Sequence, residues 1–160
     1  MVRRTNTEFL SIEEDLVALF ERLLAEMPPH VASLEVRRVG RNKEGLQATL
    51  TPRNPGAASL WVHAEKGVGL VDLGFGDWDN AWELPIEGRN PKAGKEELLQ
   101  EVRELCKAVI AGNCRYERGF LSRTASIGVE GGPPYRVTDI PVFRTRPHLR
   151  RIRCYEPYTS

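Results

Sequence analysis

Two stretches of this chain repeat apolar residues at helical spacing, while the residues between and after them alternate apolar with polar. Ile12, Leu16, Leu19, Phe20, Leu23, Leu24 and Met27 fall on one face of a 3.6-residue repeat, which Pro28 and Pro29 end. Ser11-Ile12-Glu13-Glu14 matches a capping box, so this helix is predicted to begin there or a few residues earlier. A second helix is predicted over about 95–111, with Leu98, Leu99, Val102, Leu105, Cys106, Val109 and Ile110 as its stripe and Gly112 as its stop.

The alternating stretches read as strands. Leu34 and Val36 suggest one, Arg41 to Gly45 a turn, and Leu46, Ala48 and Leu50 a return. Leu60, Val62 and Ala64 alternate with Ser59, Trp61 and His63, and the run Val68 to Leu73 follows a short Gly-containing connection, which predicts an antiparallel hairpin. Gly74 to Asn80 is expected to be a structured loop, leading into a strand over Ala81 to Ile86. Past the second helix the strand pattern resumes at Cys114 to Arg118, Leu121 to Val129, Val137 to Phe143 and Leu149 to Tyr155; Pro141 suits the third of these to an edge.

The connections between strands are short, which favours an antiparallel meander over βαβ crossovers. The expected fold is α+β: a predominantly antiparallel sheet of about 6–8 strands with two amphipathic helices packed on one face, in the order α-β(4–5)-α-β(2–4). One domain over 1–160 is expected, with 1–7 and 156–160 as candidate disordered ends.

Composition narrows the classes. The charged and apolar fractions are ordinary for a globular protein, and no apolar run approaches the roughly 20 residues of a membrane span. Acidic residues interrupt the N-terminal stretch where a signal peptide needs an unbroken apolar segment, so a cytoplasmic protein is expected. Cys106, Cys114 and Cys154 include no close pair, which fits structural thiols in a reducing compartment. The net charge of +1 hides an asymmetry: residues 113–160 carry 9 basic and 4 acidic side chains against 14 and 18 before them.

The candidate chemistry lies in two places. Trp61, Phe75 and Trp78 form an aromatic set that can anchor a partner, with Asp77 and Asp79 beside it; Trp82, alternating with Leu84 and Ile86, is expected in the core. The competing reading of Phe75 and Trp78 is as caps on the sheet. Arg136, Arg144, Arg146, Arg150, Arg151 and Arg153, interleaved with Tyr135, Phe143, Tyr155 and Tyr158, make a basic and aromatic cluster able to meet phosphate or carboxylate groups.

Other combinations are weaker. The spacing of Asp72, Asp77, Asp79 and Glu83 departs from an EF-hand loop, and a turn whose side chains bond their own backbone is expected there, with no metal and no cofactor. His63 with Asp72 or Asp77 could act as a base in a pocket between sheet and helices, although the pattern leaves open whether His63 and Asp72 share a face. No phosphate loop, GxSxG, HExxH or dinucleotide glycine pattern occurs.

The order helix, strands, helix, strands is similar in layout to small bacterial α+β binding modules such as secretion chaperones and immunity proteins. The first expectation is therefore a non-enzymatic protein-binding module that uses the Phe75 to Trp82 loop. Its alternatives are nucleic-acid binding through the arginines of the C-terminal third, and a small enzyme built on His63.

Overall fold

A computed structural model describes residues 7–42, 44–65, 69–76, 81–85, 93–119, 122–139 and 151–159. The first helix, α1 (Thr7–Glu26), contains Ser11 well inside it, so the Ser11–Glu14 box is not its cap. The second, α2 (Gly94–Ile110), carries Glu96 and Glu97 in its first turn and Lys107 in its last, charges that complement the helix dipole at both ends.

Between the helices run β1 (Ala32–Val39), β2 (Gly45–Pro52), β3 (Leu60–Glu65), β4 (Leu70–Phe75) and β5 (Trp82–Pro85), which pair in chain order, each antiparallel to the next. After α2 come β6 (Cys114–Arg118), β7 (Arg123–Ile127), β8 (Tyr135–Asp139) and β9 (Arg151–Cys154), forming a second antiparallel sheet in the order β8-β7-β6-β9. The α+β class, the antiparallel pairing and the α-β-α-β order are as the sequence predicts.

The single sheet of 6–8 strands is not. Among the described residues nine strands divide into two sheets, and the helices divide with them: α1 packs chiefly on β1 and β2, and α2 on β7. Alternation identifies a strand and its apolar side, but it carries no information on which free edges meet. Among the described residues one isolated β-bridge, Ala57 to Glu156, joins the two sheet regions, beside the contacts of the C-terminal strap.

A continuous core fills the space between these layers. Leu16 and Phe20 of α1, Leu50, Leu60, Val62, Val71, Leu73 and Phe75 of the five-stranded sheet, Leu98 and Leu105 of α2 and Ile127 of β7 are all fully buried. Each such side chain contributes about 1.5–3 kcal/mol relative to exposure. Lys95 to Asp15 at 2.8 Å and Arg103 to Glu26 at 3.0 Å tie the helices together at their rim. A shorter pair, Arg38 Nη1 to Glu13 Oε2 at 2.5 Å, joins α1 to β1 with Glu13 itself buried.

The end of the chain is a structural strap rather than a loose tail. Tyr155 packs edge-on against Phe75 at 5.7 Å, the Glu156 N–H donates to the Gly56 carbonyl, and the Tyr158 N–H donates to that of Ile110. Tyr155 and Tyr158 are both buried. Two aromatic rings and several backbone bonds outweigh the entropy of ordering so short a segment.

Candidate functional site

α1 lies on the apolar side of the five-stranded sheet's alternation, over β1 and β2, which leaves the opposite side uncovered by it. The strand register fixes what that outer face carries. Arg37, Gln47, His63, Asp72 and Glu83 are successive cross-strand partners from β1 to β5, forming one polar row. Glu35, Thr49, Trp61 and Gly74 form the next.

His63 and Asp72 therefore share a face, directly opposite one another. Their side chains are each 27% exposed, and His63 Nδ1 stands 3.4 Å from Asp72 Oδ2, longer than a tight charge-assisted bond. The other ring nitrogen, Nε2, lies over Gly45, within 2.6 Å of where a Cβ would stand. Trp61 uses a second missing side chain: its indole covers Gly74 so closely that a Cβ there would collide with the ring. Two glycines thus let an imidazole and an indole lie down on the sheet, half-buried and fixed in orientation.

Beside them is a cleft of about 490 Å³. Trp61, His63, Asp72 and Gln47 form its floor, and Gly40, Arg41, Asn42 and Glu44 of the β1–β2 connection form its wall. Arg41 of the wall and Arg37 bring cationic groups to the β1 side next to Glu44 and Glu35, while Asp72 and Glu83 make the β5 side anionic. The expected pocket between sheet and helices is replaced by this open cleft on the outer face, because the inner face is filled by core side chains.

The loop expected to present aromatic anchors is corrected in part. Phe75 ends β4 on the inward side, fully buried, with its ring stacked on Trp82 at 5.4 Å. It is a core residue and cannot anchor a partner; alternation carried through one more strand position, past Gly74, accounts for the difference. Trp82 is buried as the sequence predicts. Asp77, Trp78 and Asp79 lie outside the described residues, as do Arg144, Arg146, Arg150, Phe143 and His148. Among the described residues no group of three or more potential ligands could hold a metal ion.

The basic cluster is also redistributed. Arg151 and Arg153 are exposed on β9, and Arg153 stacks over the ring of Tyr155 at 5.0 Å. Tyr155 and Tyr158 face the core and offer no stacking surface to a nucleic-acid base. Among the described residues no cysteine pairs with a histidine. Burial pushes the Cys106 thiol well up from its ordinary value and that of Cys114 up to about 12, with Cys154 adding to the latter, while exposed Cys154 sits in the other sheet from His63.

Sequence reasoning missed Arg37, Gln47, Thr49 and Arg41 as neighbours of Trp61 and His63. The available signal was the alternation of Gln47 and Thr49 with buried Ala48 and Leu50, which places them on the outer face; the register that lines them up with Trp61 was not legible. No family model, no curated protein and no solved structure matches this chain.

Proposed function

We propose that this chain is a non-enzymatic module that binds a protein partner on the outer face of its five-stranded sheet, with Trp61 at the centre of the contact. The observation that supports it most is the setting of that tryptophan: half-buried over Gly74, held by its neighbours, and surrounded by polar side chains on a face that neither helix covers. A pre-oriented indole offers contact area at little entropic cost, which is why tryptophan is enriched at the energetic centres of interfaces. The charge gradient from Arg37 to Asp72 and Glu83 would orient the partner and set the encounter rate. Free thiols suit such a module in a reducing compartment.

Trp61→Ala is expected to weaken capture of the partner by on the order of 2 kcal/mol or more, the range of a hot-spot residue. A quantitative pull-down in which this folded variant keeps every partner of the parent chain would overturn the proposal.

The His63–Asp72 pair favours a second reading, a small enzyme in which Asp72 orients His63 as a base toward a substrate in the cleft. Among the described residues no Ser, Cys or Tyr lines that cleft, so the base would activate water or the substrate itself. Any activity found in the chain should then disappear in both His63→Gln and Asp72→Asn; activity retained in either removes this reading.

A further inference from the structure

The four-stranded sheet holds a second arrangement that the proposed protein-binding face does not use. Its inner face begins apolar, with Cys114, Ile127 and Tyr135 as cross-strand neighbours beside α2. Four residues further along β6, the same face ends in a different row: Arg151, Arg118, Arg123 and Asp139 are successive cross-strand partners from β9 to β8. Three arginines therefore stand side by side on neighbouring strands about 5 Å apart. Like charges placed directly opposite one another in a sheet are destabilising.

Asp139 answers only one of them, through Arg123 Nη2 to Asp139 Oδ2 at 2.6 Å. Arg118 and Arg151 make no hydrogen bond or ion pair among the described residues. Arg118 is half-buried and Arg151, its partner across the strands, is exposed. Three positive charges against one negative leave a surplus of two along this row.

We infer that Arg118, Arg123 and Arg151 form a binding site for a phosphate dianion, of the kind a phosphate monoester presents. Guanidinium forks match phosphate oxygens two at a time, and a doubly negative group balances the surplus that a single carboxylate would leave half-answered. A single-stranded nucleic acid would need stacking rings beside the arginines; Tyr155 and Tyr158 are buried in the core, and Tyr116, two residues before Arg118 on the same face, is half-buried, so the test includes an oligonucleotide.

The test is a calorimetric titration of the full chain with inorganic phosphate and with phenyl phosphate at fixed ionic strength. Saturable binding at one site is expected, at least about tenfold weaker in Arg118→Gln, the loss anticipated for one charge-assisted contact. Arg118→Gln should melt no lower than the parent in chloride buffer, since it removes a repulsion. Arg151→Gln, on the exposed edge strand away from the core, should show the same loss of binding. Tighter binding of the ester than of free phosphate identifies a carried phosphoryl group, and equal binding identifies the free ion; both support the site. No saturable binding, or unchanged binding in both variants, overturns it. So does an oligonucleotide that binds more tightly than phenyl phosphate with an affinity falling steeply as salt rises.

Discussion

The two sheets use the same period of two and reach different ends. In the central strand β3 of the five-stranded sheet the separation is complete: Leu60, Val62 and Ala64 are buried while Trp61 and His63 lie half-exposed on the other side. In the four-stranded sheet the inner side is apolar only beside α2, and it turns cationic within β6, from buried Cys114 through Tyr116 to Arg118. The difference shows that a strand's apolar side is set by what covers it and for how far. Where an inner face is filled by core side chains, only the opposite face is open to another molecule; where the apolar filling stops short, the inner face itself is open.

That contrast can be broken most severely at the point where the sheets meet. Phe75 touches both Trp82 of its own sheet and Tyr155 of the C-terminal strap, so Phe75→Ala should lower stability by about 3–5 kcal/mol in chemical denaturation. Arg118→Gln, on the inner face of the other sheet, should cost nothing. Comparable losses at both positions would show that the second inner face is core throughout.

Alkaline unfolding separates the sheets more gently. Burial holds the Cys114 thiol up at about 12 from an ordinary 9.0, so its contribution is fully present below pH 9. Above that, the unfolded chain ionises while the native thiol does not, and stability falls by on the order of 1 kcal/mol per pH unit up to about pH 12. Denaturation midpoints measured from pH 8 to 11 should show a slope to which buried Cys106 contributes in the same direction, so Cys114→Ala should reduce it without abolishing it. At the edge of the five-stranded sheet, Arg38→Ala strands buried Glu13 without its cation and should cost about 1–3 kcal/mol by the same assay. The smallest effect is chemical: exposed Cys154 should react with a thiol reagent in the native chain while Cys106 and Cys114 react only after unfolding.

Much of the framework was legible. Both helices, the β1–β5 meander, the burial of Trp82 and the edge position of the strand near Val137 follow from periodicity and from glycine and proline placement. Local alternation could not report the split into two sheets, because that depends on pairings between distant edges. The same limit hid the two rows: His63 and Asp72, or Arg118, Arg123 and Arg151, are far apart or unremarkable in sequence and become neighbours only through register. Phe75 was misplaced for a more local reason. Glycines on both sides suggested a loop, whereas Gly74 serves as the seat of Trp61 and the strand continues past it.

The most direct measurement compares two threonine substitutions of equal size and charge. Thr49→Arg crowds the outer face next to Trp61, and Thr138→Arg does the same on the outer face of the other sheet; each should change stability by less than about 0.5 kcal/mol. In quantitative capture experiments with both variants folded, partner binding should be lost in Thr49→Arg and kept in Thr138→Arg. Full binding by Thr49→Arg, or loss confined to Thr138→Arg, would contradict a recognition surface on the five-stranded sheet.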